Sequence, residues 1–103
     1  MALMQINIIP LGSASTSVGE FVAGVHKALE KENVKWELTD MGTVIEGEAA
    51  ELLEIAGRIH EVPFQKGVRR VMTQIVIDDR RDKDVGLGDK VSSIKNRLKI
   101  ADG

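Results

Sequence analysis

Along the first dozen residues aliphatic side chains alternate with polar ones, Gln5 and Asn7 falling between Met4, Ile6 and Ile8. This two-residue period, rich in β-branched side chains, predicts a strand over residues 3–11, closed by Pro10 and Gly12. The pattern then changes. Ser17 stands three residues before Glu20 as in a capping box, and Val18, Phe21, Val22, Val25 and Leu29 recur at helical spacing, which predicts a helix over residues 18–32 ended by Asn33. Val34, Trp36 and Leu38 next alternate with Lys35, Glu37 and Thr39, and after Asp40, Met41 and Gly42 a second alternating run covers residues 43–47. That is a β-hairpin. Leu52, Ile55, Ile59 and Val62 form one stripe of a helix over residues 48–62, with acids in its first turn and Pro63 and Gly67 to end it. A last strand over residues 70–78 leads into the charged run DDRRDKD. A short helix over residues 89–99 follows, with Leu87, Val91, Ile94 and Leu98 in register. A helix of about ten residues is marginal in water by itself, so this one must dock on something.

The order strand, helix, strand, strand, helix, strand predicts an α+β fold: a ferredoxin-like βαββαβ sandwich with a four-stranded antiparallel sheet, here with an additional C-terminal helix, in a single domain over residues 1–103. In the spatial strand order 4-1-3-2 the first two strands are parallel. The segment after the first strand and the hairpin tip then share one end of the sheet, and the charged run lies at the other. Ile9, Met72, Val76 and either Val44 or Ile45 would face away from the helices, mixed with Gln5, Asn7, Gln74 and Thr39. Such a face is usually covered, which predicts a homo-oligomer with sheets packed face to face.

Composition narrows the function. With 43% hydrophobic and 29% charged residues in 103, the chain can build one ordinary core. Its lack of cysteine excludes disulfides, iron–sulfur clusters, thiolate zinc sites and cysteine nucleophiles. His26 and His60 show no ligand spacing, so surface roles are expected for both, with no metal or cofactor. A formal charge of −2 gives no footprint for nucleic acid. No apolar run approaches the roughly 20 residues of a membrane span, and a soluble cytoplasmic protein is expected. No G-x-S-x-G, Walker or H-E-x-x-H motif occurs. Binding is therefore favoured over catalysis.

Three places carry candidate chemistry. Ser13, Ser15, Thr16 and Ser17 stand at a helix start, where free N–H groups can hold an anion or a polar ligand, although capping alone accounts for such residues more often. In the hairpin, Gly42 is free to adopt positive φ beside Thr43, and Glu46 is an acid on a central strand that needs a partner. The run from Asp78 to Lys83 alternates in sign; its ordinary role is a solvated network, and its sharper one is for Arg80 or Arg81 to cross a subunit interface. Trp36 is expected in the core or an interface, with stacking on a ring ligand as the other use.

The segments IPLGSASTSVGEFVAG, MGTVIEGE and IVIDDRRDKDVGLGDKVSSIKNRL, in this order over almost the whole chain, resemble the small thiamine-binding proteins. The resemblance implies a ferredoxin-like homo-oligomer, commonly a homotetramer, that binds thiamine or its hydroxymethylpyrimidine portion without catalysis. Thr16, Ser17, Met41, Gly42, Thr43 and Glu46 match the family's first two motifs, and Asp78, Arg81 and Lys83 the third. On that reading Thr16, Ser17 and Thr43 would read the pyrimidine, and Glu46 or Asp78 would offset the thiazolium charge. Two other readings stand beside it: a regulatory or structural oligomer without affinity for thiamine, and an acylphosphatase-like enzyme. The latter is disfavoured because SASTSVGE carries no arginine.

Overall fold

A computed structural model describes residues 1–12 and 18–102. The elements run β1 (Ala2–Pro10), α1 (Val18–Glu30), β2 (Trp36–Thr39), β3 (Gly42–Gly47), α2 (Ala49–His60), α3 (Val62–Gln65), β4 (Val71–Asp79) and α4 (Asp89–Asp102). The strands form one sheet in the order β2-β3-β1-β4, antiparallel at every contact. This is the ferredoxin-like α+β architecture expected from the order of elements. The cap expected at Ser17 lies outside the described residues.

Alternation along β1 decides which face becomes the core. Ala2, Met4 and Ile6 are buried against Val25 and Leu29 of α1, Leu52, Ile55, Ala56 and Ile59 of α2, and Ile45 of β3. Each large aliphatic side chain buried in this way contributes about 1.5–3 kcal/mol. Where the sequence predicts a helix ended by Pro63, the chain instead makes a further turn, α3, with the proline in its first turn. Proline is compatible there because that position needs no N–H donor. Gly67, at φ 91°, then turns the chain toward β4.

His60 is not the free surface residue expected. Its Nδ1 lies 2.7 Å from Thr73 Oγ1, and its ring meets the edge of Phe64 at 5.4 Å, which ties the end of α2 to β4.

Among the described residues no helix packs on the other face of the sheet. Cross-strand register sets Leu3 between Glu46 and Asp78, Gln5 between Val44 and Val76, Asn7 opposite Gln74, and Ile9 opposite Met72. Residues directly opposite share a face, so Val44 belongs to this surface and Ile45 to the core. Val76 is left 66% exposed there.

The C-terminal helix also lacks a cover. Val91, Ile94 and Leu98 are all exposed, and no element of the body packs extensively on α4. Its start is held by the Lys90–Asp78 ion pair at 3.0 Å. A radius of gyration of 16.0 Å reflects this projection, against about 13 Å for a compact domain of 100 residues. No described helix is long and apolar enough to cross a membrane.

The segment after α1 is clamped to α2 by a two-pronged pair, Arg58 Nε donating to Glu32 Oε1 at 2.6 Å and Nη2 to Oε2 at 3.0 Å. The hydrogen-bonded guanidinium holds the Glu32 carboxyl below the usual carboxylate range. A depressed carboxyl stabilises the fold fully above its unfolded value and loses that contribution as pH falls through the lowered native value. Arg58→Ala should therefore lower the melting temperature slightly at neutral pH, and the gap to the parent protein should close on acidification below the carboxylate range. A gap that widened in acid would contradict the pairing.

Candidate functional site

Because β1 and β2 are each antiparallel to β3, they run parallel to one another, and the end of β1 meets the β2–β3 hairpin at one end of the sheet. Helix α1 lies over that end. Between them is a cleft of about 200 Å³ lined by Ile6, Asn7 and Ile8 of β1, Val22, Val25 and His26 of α1, and Leu38, Thr39, Asp40, Gly42 and Thr43 of the hairpin. At about 30 Å³ of liquid volume per water, this space suits one substituted heteroaromatic ring. Its floor is aliphatic, Thr43 and His26 turn polar groups into it, and Asn7, Thr39 and Asp40 stand at its rim.

The hairpin that forms one wall is locked by its own side chains. Thr39 Oγ1 donates to the Gly42 carbonyl at 2.9 Å and accepts the Met41 N–H at 3.2 Å. Gly42 has φ 143°, and a Cβ there would lie 2.6 Å from Asn7 Oδ1. Both the backbone conformation and the close approach of Asn7 thus demand glycine. Met41 stands exposed at the tip.

Thr43 points inward and is only 6% exposed. Its Oγ1 lies 3.1 Å from His26 Nε2, and the His26 ring stacks on Trp36 with centroids 4.8 Å apart and planes 20° apart. His26 is therefore a half-buried member of the cleft rather than the surface residue expected from its place on the polar side of the helix. Trp36 packs partly against the core, as expected, and its stacking partner is this histidine.

The nominated residues do not all meet. Thr16 and Ser17 lie outside the described residues, between Gly12 at the end of β1 and Val18 at the start of α1. Met41, Gly42 and Thr43 are together at the hairpin. Glu46 lies three residues further along β3, about 10 Å away, and on the opposite face of the sheet. It flanks Leu3 together with Asp78. Both acids hold the approach to α4: Glu46 Oε1 accepts the Leu87 N–H at 3.1 Å, and Asp78 Oδ2 accepts from Lys90 Nζ at 3.0 Å. A Cβ on Gly86 would meet the Glu46 carboxylate, which would have to shift to make room. Among the described residues, the acid at the cleft within one chain is Asp40, which in the sequence stands only as part of a turn.

Arg80, Arg81 and Lys83 are at the same far end. Arg80 pairs with Asp82 at 2.8 Å and Arg81 with Asp79 at 2.8 Å. These hydrogen bonds hold the Asp79 and Asp82 carboxyls below the usual range. Lys83 lines a groove between this run and α4 with Arg80, Lys90 and Arg97.

Comparison with known proteins gives an independent reading. The sequence model of the thiamine-binding protein family matches residues 4–95. The UPF0045 protein YqgV of Bacillus subtilis is 46% identical, over 95% of this chain and 98% of its own. A UPF0045 protein of Methanothermobacter thermautotrophicus is also 46% identical, over 95% of this chain and 100% of its own. The crystal structure of a hypothetical protein from Methanocaldococcus jannaschii superposes with a TM-score of 0.79 at 32% identity, covering 91% of this chain and 95% of that one.

Gly42→Ala should cost about 1–3 kcal/mol in urea unfolding, through strain at positive φ and collision with Asn7. In an Asn7→Ala background the steric part should vanish and the cost should shrink. An equal cost in both backgrounds would show that Asn7 does not constrain the turn.

Proposed function

Because this chain belongs to the thiamine-binding protein family, we propose that it binds thiamine, or the hydroxymethylpyrimidine portion of it, without catalysing a reaction, in the cleft between α1 and the β2–β3 hairpin. The observation that carries this reading is the inward-facing Thr43 hydroxyl above an aliphatic floor. An aminopyrimidine edge needs a few placed donors and acceptors, and its ring faces need apolar contact. Thr43 and His26 provide inward-facing polar groups, and Ile6, Ile8, Val22 and Val25 the apolar ones. Gly42 keeps the turn open beside them, and the flexible Met41 side chain at the tip covers the ring. Thr16 and Ser17, outside the described residues, are proposed as further polar groups for the ligand. Asp40, at the cleft, offsets the thiazolium charge, whereas Glu46 and Asp78 serve the cleft only if a second copy brings them there.

The protein acts, on this proposal, as a homo-oligomer, with a homotetramer as the expected form. Two uncovered apolar surfaces support it: the helix-free sheet face with Met72 and Val76, and the α4 stripe of Val91, Ile94 and Leu98. The charges on the two surfaces are complementary, since Glu37 and Glu46 lie on the sheet face and Lys95, Arg97 and Lys99 on the helix. Arg80, Arg81 and Lys83, beside the start of α4, contribute to the same contact.

Isothermal titration should give a single saturable site for thiamine, and Thr43→Val should weaken it about tenfold. Unaltered affinity in Thr43→Val would place the ligand elsewhere. Light scattering should return a multiple of the 11.3 kDa chain mass, reduced in the double variant Ile94→Asp, Leu98→Asp. A monomer mass for the parent protein at micromolar concentration would end the assembly proposal.

A further inference from the structure

We propose that His26 is the specificity-determining residue of the cleft: its proton sets whether Thr43 offers a ligand an acceptor or a donor, and its charge makes the cleft discriminate against cationic ligands. This rests on the proposed function in one respect, that the cleft beside Thr43 is the ligand site.

His26 Nε2 lies 3.1 Å from Thr43 Oγ1. A hydroxyl has one proton and two lone pairs. In the neutral ring protonated on Nδ1, Thr43 donates to Nε2 and has only lone pairs left for a ligand; in the neutral ring protonated on Nε2, Thr43 accepts. In the imidazolium both ring nitrogens are protonated, so Nε2 must donate, and Thr43 accepts. Its own hydrogen is then free to turn into the cleft. At 6% exposure Thr43 has little access to water as a substitute partner, so the exchange falls on the ligand.

The surroundings permit both states. Trp36 stacks on the imidazole at 4.8 Å, and an indole face attracts a cation. From β1 the cleft receives Ile6, Asn7 and Ile8, none of them charged, and from the hairpin only Asp40. On α1 Glu30 lies one turn beyond His26, while Glu37, next to Trp36 on β2, lies on the opposite face of the sheet. With His26 neutral, Asp40 is the one charge among the described cleft residues and favours a cationic ring. With His26 protonated, a like charge stands in the wall of a cleft about one ring wide. Histidine is the side chain whose ordinary titration falls between pH 5 and 8.

The test measures thiamine affinity by isothermal titration at pH 8 and pH 5.5 for the parent protein, His26→Gln and Thr43→Val. The parent should lose roughly threefold or more in affinity on acidification, in keeping with like charges a few ångströms apart in a partly wet site. Whatever affinity His26→Gln has at pH 8, it should keep at pH 5.5. Equal pH dependence in the two proteins, or none in the parent, would overturn the proposal while leaving thiamine binding intact. Absence of thiamine binding by the parent at pH 8, or an affinity that Thr43→Val does not change, would overturn the cleft function and this proposal together. A second readout needs no ligand. Trp36 is the single tryptophan, and its emission should fall on acidification as the stacked imidazole takes up a proton, but not in His26→Gln or His26→Asn. Emission that falls equally in these variants would overturn the charged stack.

Discussion

The register of β1 with its two neighbours is the constraint on which the rest depends. With Ile6 opposite both Thr43 and Ile75, every even-numbered residue of β1 from Ala2 to Ile8 faces the helices and every odd-numbered one faces away. Sliding β3 by one residue would move Ile45 out of the core, turn Thr43 away from His26 and bring Glu46 under the helices. Burial of Met4, Ile6 and Ile45 under Leu29, Leu52, Ile55 and Ile59 prevents that slip. The hydrophobic core thereby also aims the buried Thr43 hydroxyl of the cleft.

The same alternation leaves a surface that a single chain does not cover. Two helices suffice for one face of a four-stranded sheet, and the third long helix, α4, leads away from the other face instead of over it. Glu46 and Asp78 secure its departure through the Leu87 amide and Lys90. The distance of these acids from Thr43 and their place on the far face give them a different neighbourhood, the root of the projecting helix.

Much of the cleft could be read from local pattern. Gly42 beside Thr43 signalled a tight turn next to a polar side chain, and the parallel relation of β1 and β2 put that turn beside the end of β1. His26 was less legible. Helical spacing places it next to Val22 and Val25 but does not say how far over the sheet the helix sits, so a polar residue at the stripe's margin looks like a surface residue. Asn7 and Asp40 were missed for a related reason. One became significant only when its amide came against Gly42, and the other only when α1 closed the space above the hairpin.

Amphipathic period, turn residues and element order were enough to specify the strands, the helices, their ferredoxin-like arrangement and the end of the sheet where the hairpin lies, because each arises from contacts near in sequence or from a face-by-face division of apolar side chains. The pairing of His26 with Thr43 and Trp36, the separation of Glu46 from the hairpin and the projection of α4 were decided only in three dimensions. Each depends on how far one element is displaced or rotated over another, and that is settled by the packing of many side chains at once.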